Sequence, residues 1–479
     1  MRICIVAEGS YPYVTGGVSS WIHSLARNMP EHEFVIYAIA AERKQKGQFK
    51  YTLPDNIVEV QEIFLDEYMQ LEGEWGHHLR LTPDQRQSIK ALISGEGDLD
   101  WSRIFSVLCD PKLSNAANFL MSRDFFDIMS QLCEEKYEQL PFTEMFWTVR
   151  SMVLPLLLTV QKPLPQADLY HAVSTGYAGV LASLAKYLYG KPVMLTEHGI
   201  YSREREEEII KADWVDGYFK DIWIRYFYTL STCAYQYADE VITLFNRNRE
   251  IQIELGCEAD KIRIIPNGVT AADYENLQVK APGEPIYIGG VVRVVPIKDI
   301  KTMIQSFNVI KRQVPEAKFF IMGPYEEDPE YYEECRLMVE LLQVEDVIFT
   351  GSINVKEYIG QMDILLLTSI SEGQPLAVLE GLAAGKPMVT TDVGSCKELI
   401  YGNNDEFGPA GSVVPVMSYE RIGEEVIQLC RSEELRQRMG ENGRNRVRSL
   451  YTNHNFITGY QNLYQTCGGL NGWPVSVSN

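Results

Sequence analysis

Residues 363–385, DILLLTSISEGQPLAVLEGLAAG, contain in order the three parts of one unit of a parallel sheet. The apolar run from Asp363 to Thr368 is typical of a buried strand, and the residues from Pro375 to Gly385 are typical of a helix. Because proline favours the first helical position and glycine the stop, we expect this helix to begin at Pro375 and to end at Gly385. The free backbone amides at residues 373–376 would then form a positive helix end that suits phosphate or sugar oxygens.

The same alternation of short apolar run, turn and helical period recurs along both halves of the chain. It predicts an α/β fold with two facing Rossmann-like, doubly wound parallel sheets. The expected strands of the first sheet are residues 3–7, 34–39, 57–63, 168–173, 192–196, 240–244 and 262–265, and all but the third look fully buried. Those of the second sheet are residues 286–292, 317–322, 347–350, 363–368 and 388–391.

This pattern divides the 479 residues into two domains. We expect an N-terminal Rossmann-like, acceptor-side domain at 1–280, in which 66–163 form a helical insertion. A second Rossmann-like domain, which binds the nucleotide sugar, is expected at 281–452, and the segment 453–479 is expected to cross back to the first. Since ligands of doubly wound sheets bind outside the carboxyl ends of the strands, the binding residues should follow strands in both domains.

Composition and charge exclude several classes of function. A net charge of −21 argues against a broad surface for nucleic acid or anionic lipid. The apolar run at residues 3–7 is too short for a secretory signal, and the run at 152–160 is about half of the ~20 residues of a spanning helix. The nine cysteines are scattered and the one close histidine pair is His77-His78, so we expect reduced thiols and no metal. These features predict a cytoplasmic protein without direct membrane insertion.

Two cations, Arg293 and Lys298, flank an apolar loop directly after the expected strand 286–292. Arginine can grip a phosphate with two hydrogen bonds, and lysine acts as a point charge. Together they could stabilise a diphosphate leaving group without magnesium. The alternative is a surface position bridged to Asp299 or Glu326.

Two carboxylates accompany the helix in residues 363–385. Glu372 would lie just before the helix and Glu380 about a turn and a half inside it, so both can face one bound ligand. Carboxylates accept hydrogen bonds from hydroxyl groups well. Two glutamates eight residues apart are often simply solvated surface, but the preceding strand and the Gly-Gln-Pro entry favour a binding role.

The first domain offers fewer candidates. His198 follows an expected strand and precedes a glycine, so it could contact a ligand, although a lone histidine is more often structural. Gly16 and Gly17, in the first strand-to-helix turn, would let a ligand approach the backbone closely. They do not form G-x-G-x-x-G, which makes a dehydrogenase a weak alternative, and the chain has no G-x-x-x-x-G-K-[ST]. Asn267-Gly268 is best interpreted as a hinge turn.

Taken together, these motifs resemble the retaining glycosyltransferases of the GT-B fold, family four (GT4), over nearly all of both domains. The resemblance implies a metal-independent enzyme without a cofactor, whose donor substrate is a UDP-sugar. It implies that Arg293 and Lys298 bind the donor diphosphate and Glu380 the ribose hydroxyls. Glu372 and its following residues would hold the donor sugar, and His198 and Gly17 would complete the site. The implied substrate-binding residues are Gly16, Gly17, Gly373, Gln374, Pro375, Leu376 and Glu380.

The opening of the chain and its insertion are similar, more narrowly, to the cytosolic glycosyltransferases of the Pel exopolysaccharide system of bacteria, which supports the biofilm matrix. This resemblance implies a growing polysaccharide as acceptor and recruitment to the inner membrane by Pel-type partner proteins. Asp299 and Gln374 depart from the residues that are frequent in the family. These departures put the preferred donor sugar in doubt more than the activity.

Two other functions share this fold. One is a catalytically silent sugar-nucleotide-binding subunit of a membrane assembly, against which the intact Arg293, Lys298, Glu372 and Glu380 argue. The other is a UDP-sugar 2-epimerase, which would release free nucleotide and a rearranged sugar without any acceptor. Analysis of the products separates them.

Overall fold

The computed structural model describes residues 1–70, 75–96, 99–113 and 115–469. Residues 71–74, 97–98 and 114 of the expected insertion, and residues 470–479 of the expected C-terminal segment, lie outside the described residues. The chain divides into two compact units. Unit 1 comprises residues 1–243, 249–263 and the chain from Tyr460, and unit 2 comprises residues 244–248 and 264–459. Residues 264–280, which the sequence analysis assigned to the N-terminal domain, therefore pack in unit 2.

The described part of unit 1 contains a seven-stranded sheet in the order β3-β2-β1-β4-β5-β6-β7. Its strands are β1 (Arg2–Glu8), β2 (Glu33–Ala40), β3 (Ile57–Phe64), β4 (Leu169–Ala172), β5 (Val193–Glu197), β6 (Glu240–Thr243) and β7 (Ile262–Ile264). In the parallel register, Val6 of β1 lies opposite Tyr37 on one side and Ala172 on the other. The doubly wound sheet that was expected from the sequence is confirmed.

Helices cover this sheet and form the insertion. They are α1 (Gly17–Arg27), α2 (Pro83–Ser94), α3 (Trp101–Leu108), α4 (Ala116–Leu120), α5 (Arg123–Lys136), α6 (Phe142–Val160), α7 (Tyr177–Tyr189), α8 (Tyr201–Lys211), α9 (Gly217–Tyr237) and α10 (Asn246–Glu254). Helices α2 to α6 share one apolar core with β1, β2 and α7. Side-chain oxygens of Thr82, Asp100, Asn115 and Ser122 cap α2 to α5, which explains where these helices begin.

The described part of unit 2 contains a six-stranded parallel sheet in the order β10-β9-β8-β11-β12-β13. Its strands are β8 (Tyr287–Val291), β9 (Lys318–Met322), β10 (Val347–Gly351), β11 (Ile364–Leu367), β12 (Met388–Thr391) and β13 (Gly411–Val414). Its helices are α11 (Ile300–Gln313), α12 (Pro329–Leu342), α13 (Val355–Ile359), α14 (Leu376–Ala383), α15 (Cys396–Tyr401), α16 (Tyr419–Arg431) and α17 (Glu433–Leu450). A separate apolar core holds these elements together.

The last helix, α18 (Asn453–Cys467), contributes to both units. From Tyr460 onward it packs in unit 1, where Tyr460 and Tyr464 are completely buried. The hydroxyl of Tyr464 lies 2.7 Å from Nδ1 of His171, and that of Tyr460 lies 3.1 Å from the hydroxyl of Thr196. The end of α18 is thus bonded to the strands β4 and β5.

Three local expectations were wrong or incomplete. β7 is not fully buried, because it is the edge strand of its sheet and leaves Arg263 and Ile264 exposed. Pro375 does not occupy the first helical position. Its ψ of 115° is extended, so it is the residue that precedes α14. Strand β13 was not predicted, because its sequence, GSVV, contains only two apolar β-branched residues.

Candidate functional site

In unit 2, the loops that follow the neighbouring strands β8 and β11 are joined by hydrogen bonds. The backbone amide of Ile370 donates to the carbonyl of Ile297 at 2.9 Å. The buried hydroxyl of Thr368 donates to the carbonyls of Lys298 and Asp299, both at 3.0 Å. Asp299 has a left-handed backbone, with φ of 46°, and its side chain caps α11. Lys298 is therefore fixed over the end of β11.

Lys298 and Glu372, two of the predicted site residues, contact each other. The Lys298 ammonium lies 2.5 Å from Oε1 of Glu372, and the buried Ser369 donates its hydroxyl to the same oxygen at 2.6 Å. The two charged side chains are 18% and 11% exposed, so they reach the surface. An ammonium has three donors and a carboxylate about four acceptor positions, which leaves both groups able to bind a further polar ligand.

Arg293 lies after the same strand but forms a different pair. Its guanidinium donates to both carboxylate oxygens of Glu327 at 2.6 Å, and both side chains are half-exposed. The alternative considered from the sequence was a bridge from Arg293 to Asp299 or Glu326. The structure shows a bridge to Glu327, the residue after Glu326. The charge of Arg293 is therefore balanced at the surface, where an anionic ligand would have to compete with Glu327.

The loop that carries Glu372 and Gly373 is backed by Gly394, which the sequence analysis did not single out. Gly394 has φ of +51°, and a Cβ there would lie 2.0 Å from the carbonyl oxygen of Gly373. The amide of Ser395 donates to that same oxygen at 2.9 Å. Close backbone packing of this kind requires glycine. The signal in the sequence was a glycine shortly after strand β12.

Gln374 and Pro375 are buried, whereas the next residue, Leu376, is exposed. The side-chain oxygen of the buried Gln374 accepts a 2.6 Å hydrogen bond from the amide of Asn267. This hydrogen bond fixes the Asn267-Gly268 turn, which was interpreted from the sequence as a hinge. Leu376, at the start of α14, is exposed.

Glu380 faces Tyr274, a residue that the sequence analysis missed. Burial raises the pKa of Glu380, and the hydrogen bond from the Tyr274 hydroxyl and the charge of Lys356 partly offset this rise. Lys356 also pairs with Asp273 at 2.6 Å. Tyr274 belongs to a short turn that packs on α14, and no local pattern in the sequence indicates that contact.

In unit 1, His198 follows β5 and packs edge-on against Trp21, with ring centroids 5.0 Å apart. Burial lowers the pKa of His198 to about 4, so the imidazole is neutral near pH 7. A Cβ at Gly199 would lie 1.9 Å from Oε1 of Glu204, so the Glu204 side chain would have to move to admit any other residue there. His198 therefore offers a neutral hydrogen-bonding ring rather than a charge.

Gly16 and Gly17 precede and begin α1. Both are exposed, and a Cβ at either position would meet no atom within 4 Å. The backbone of Gly16 is extended, with φ of 174°. Neither glycine is required by packing, so the open approach to the backbone that was expected from the sequence is present.

Glu197 was not predicted as a notable residue, yet it accepts several hydrogen bonds in the interior of unit 1. It is buried and accepts hydrogen bonds from Tyr235 at 2.6 Å, Gln252 at 2.9 Å and Thr175 at 3.2 Å. Burial raises its pKa, and these donors partly offset the rise. The donors come from three separate helices or loops, which is why the sequence alone did not indicate them.

Within the described residues, no group of three histidine, cysteine, aspartate or glutamate side chains is arranged to hold a metal ion. Over the same residues, each helix is too short or too polar to cross a membrane.

Comparison with known families gives two matches. The family described as a domain of unknown function, DUF3492, matches residues 1–260, and the family Glycosyl transferases group 1 matches residues 275–446. An N-acetyl-alpha-D-glucosaminyl L-malate synthase of Bacillus anthracis is 31% identical over 170 residues, which cover 35% of this chain and 42% of that protein. The amylovoran biosynthesis glycosyltransferase AmsK of Erwinia amylovora is 26% identical over 271 residues, which cover 53% and 60%. The chain thus matches less than two thirds of these relatives' length.

Solved structures match over the whole length. Anabaena Alr3699/HepE in complex with UDP has a TM-score of 0.63 at 14% identity and covers 97% of this chain and 100% of its own. Sucrose-phosphate synthase from Thermosynechococcus elongatus has a TM-score of 0.61 at 14% identity and covers 98% and 99%. Such similarity defines the fold, and two Rossmann-like parallel-sheet units of this kind are the GT-B fold of glycosyltransferases.

The chain belongs to the DUF3492 family through its first 260 residues, and residues 275–446 match the family Glycosyl transferases group 1. The predicted GT-B fold is therefore confirmed, and so is the resemblance to GT4-like glycosyltransferases at the level of this group.

Proposed function

We propose that this chain is a retaining, metal-independent glycosyltransferase of the GT4 type, which transfers a sugar from a UDP-sugar to a growing bacterial exopolysaccharide of the Pel type. The contact between Lys298 and Glu372 at the ends of β8 and β11 carries this proposal. A relative is named as an amylovoran biosynthesis glycosyltransferase, and the structural neighbour HepE has been solved with UDP and with UDP-glucose. These names support a nucleotide-sugar donor and a polysaccharide product.

The donor would be held by unit 2. Lys298 has two donors beyond the one that Glu372 accepts, and these would bind the diphosphate. Glu372 would accept hydroxyl hydrogen bonds from the donor sugar, with the amides of Gly373 and its neighbours beside it. Glu380 would accept from the ribose hydroxyls, and Arg293 would add a second cation once Glu327 releases it.

The reaction would proceed on the face from which the diphosphate leaves. The bond between the anomeric carbon and the phosphate oxygen breaks, and the acceptor oxygen bonds to that carbon on the same face. The departing phosphate oxygen takes the acceptor's proton. Lys298 would stabilise the charge that develops on this oxygen, which is the effect that preorganised cations supply. In unit 1, the neutral His198, with Gly16 and Gly17, would supply further ligand contacts.

The setting of this reaction is also a proposal. The chain would act in the cytoplasm, at the inner membrane, where Pel-type partner proteins recruit it. Its net charge of −21 disfavours direct binding to anionic lipid. Strong binding of the isolated protein to protein-free anionic liposomes would contradict this arrangement.

Calorimetric titration in EDTA tests the donor site. The wild type should bind one of UDP-glucose, UDP-N-acetylglucosamine and UDP-N-acetylgalactosamine more tightly than UDP, and should not bind NAD. Glu380→Ala should weaken this binding about tenfold or more, since a charged hydrogen-bond acceptor is lost. Tyr274→Phe is the matched control, because it removes the same internal hydrogen bond and keeps the carboxylate.

The outcomes separate the functions. No binding of any UDP-sugar by the wild type would overturn the proposal. Binding without turnover would indicate the silent subunit, and release of UDP with a rearranged sugar in the absence of acceptor would indicate the 2-epimerase. Loss of binding on addition of EDTA would refute metal independence.

A further inference from the structure

Four aromatic side chains of unit 1 are largely exposed to water. They are Trp75 at 60%, Trp147 at 45%, Trp214 at 70% and Tyr218 at 49%, and we call them the aromatic strip. Leaving large aromatic surfaces in water forgoes the stabilisation that burial would give. Exposed apolar surface that is grouped in this way marks a binding site more often than it marks chance.

Contacts between these residues place them in series. The rings of Trp75 and Trp147 meet edge to face, with centroids 6.0 Å apart. Trp147 lies one turn after Glu144 on α6, and Glu144 accepts a 2.8 Å hydrogen bond from the hydroxyl of Tyr218. Tyr218 is the second residue of α9, four residues after Trp214. The strip therefore runs from the insertion to the turn that joins α8 and α9.

Two of the rings are held in place although they are exposed. Trp214 packs edge-on against the buried Trp223, with centroids 5.6 Å apart. The guanidinium of Arg150 lies 5.1 Å from the centre of the Trp147 ring. A ring that is fixed before a ligand arrives loses little conformational entropy when the ligand binds.

Helix α8 connects the strip along the chain to the strand end that carries His198. It begins at Tyr201, three residues after His198, and ends at Lys211, three residues before Trp214. At 1.5 Å per residue, its 11 residues span about 16 Å, which is the length of a short oligosaccharide.

We propose that the aromatic strip binds a carbohydrate chain and holds the growing polysaccharide outside the site of transfer. This inference rests on the proposed function. A sugar ring presents C–H groups on its faces, which stack on aromatic rings, and hydroxyls on its rim, which donate to carboxylates. Exposed carboxylates accompany the rings, since Asp213 and Asp216 flank Trp214, and Glu144 lies beside Trp147.

The charges beside the aromatic strip favour an uncharged carbohydrate over an anionic membrane as its ligand. Tryptophan and tyrosine also favour the lipid interface, but surfaces that bind anionic lipid add lysine and arginine around the aromatic residues. Here three carboxylates, Asp213, Asp216 and Glu144, lie beside the strip and, among the described residues, outnumber the one cation that contacts its rings, Arg150, in a chain with a net charge of −21. An uncharged glycan meets no repulsion from these groups.

Affinity measurements on the full chain, without donor, test this proposal. The probes are neutral hexasaccharides of α-linked glucose, β-linked glucose and β-linked N-acetylglucosamine, with oligogalacturonate as the anionic comparison. At least one neutral probe should bind, and Trp147→Ala and Trp214→Ala should each weaken it about tenfold. Trp147→Phe and Trp214→Phe should retain most of the affinity. The exposed Tyr189→Ala, on α7, is the matched control.

Activity measurements add a second readout. With a short acceptor, turnover of the two alanine variants should equal that of the wild type, whereas products from a long acceptor should be shorter. Absence of binding to all three neutral probes, equal binding by the wild type and the alanine variants, or binding to anionic vesicles in place of glycans would each overturn the proposal. Because binding is measured without UDP-sugar, failure of the donor site would leave this result interpretable.

Discussion

The carboxyl ends of the two sheets carry charged residues in opposite environments. Both sheets have the same doubly wound order, in which the first strand of each lies in the middle. At the edge of unit 1, Glu197 is buried and accepts three side-chain hydrogen bonds from Tyr235, Gln252 and Thr175. At the edge of unit 2, Lys298 and Glu372 neutralise each other but remain partly open to solvent. The carboxyl end of β5 therefore holds a structural carboxylate in unit 1, whereas the loop after β11 holds an available one in unit 2.

This difference separates charged residues that stabilise the fold from charged residues that can bind a ligand. A buried carboxylate whose acceptor positions are filled stabilises its donors, and its removal leaves them unsatisfied. A pair that is partly exposed and keeps free donor and acceptor positions can bind a further polar ligand. Substitutions at the two edges should consequently affect different measurements.

The largest effect is expected at Lys298. Lys298→Ala should reduce turnover with the UDP-sugar by about 10²- to 10³-fold, because one preorganised cation is lost from the leaving group. Any fall in the thermal unfolding temperature should be smaller than for a fully buried pair, because Glu372 remains partly exposed and keeps the hydrogen bond from Ser369. Lys301→Ala is the control and should keep its activity, because it removes a surface cation of α11 that pairs with Glu334 of α12. Near-normal activity of Lys298→Ala would exclude Lys298 from the reaction.

A loss of stability is expected at Glu197. Glu197→Ala should lower the free energy of unfolding of unit 1 by on the order of 3 kcal/mol, since three buried donors lose their acceptor. All described tryptophans lie in unit 1, so tryptophan fluorescence during urea unfolding reports this unit. Glu254→Ala removes an exposed partner of Arg203 and should cost under about 1 kcal/mol. Equal losses in the two variants would contradict the distinction between buried and exposed carboxylates.

The buried His171 should make unit 1 sensitive to acid. Burial lowers its pKa to about 3 from 6.5, so protonation favours the unfolded state. Its contribution to stability is complete above pH 6.5 and is lost as the pH falls towards 3. The raised pKa values of Glu8 and Glu197 act in the opposite direction, but they are present in both proteins compared.

The comparison is between the wild type and His171→Gln. At pH 5, the stability of unit 1 in the variant should depend on pH less steeply than in the wild type, by about 1.4 kcal/mol per pH unit. The exposed His454→Gln, in unit 2, should keep the wild-type slope. Urea unfolding at several pH values between 4 and 7 measures how the free energy of unfolding depends on pH. Identical slopes in the wild type and His171→Gln would show that His171 is not protonated on unfolding.

The smallest effect is expected at the pair of Arg293 and Glu327. Arg293→Ala should weaken UDP-sugar binding by about tenfold at most, because the gain from the phosphate is reduced by the cost of breaking the existing pair. Glu327→Ala should tighten the binding a few-fold, since it frees the arginine. Calorimetry on both variants measures the affinity for the UDP-sugar. If neither variant changes this affinity, Arg293 lies outside the donor site.

Much of the fold could be predicted from local sequence patterns. The strands at the centres of both sheets are short apolar runs, and such runs can be recognised because hydrophobic period is a local property of the sequence. The positions of Lys298 and Glu372 after strands could be predicted, but their direct contact was not, because it depends on β8 and β11 being neighbours in the sheet. The edge strand β7 was misjudged because its apolar composition does not reveal that one side lacks a neighbour.

The sequence by itself determined the α/β alternation, the helical insertion and the position of Lys298, Glu372 and Glu380 after strands or within the following helix. Only the tertiary structure decided that Arg293 pairs with Glu327, that Gln374 binds the backbone of Asn267, and that Glu197 is saturated by donors. The physical reason is that local pattern sets the secondary structure, whereas burial and hydrogen-bond partners depend on elements that are distant along the chain.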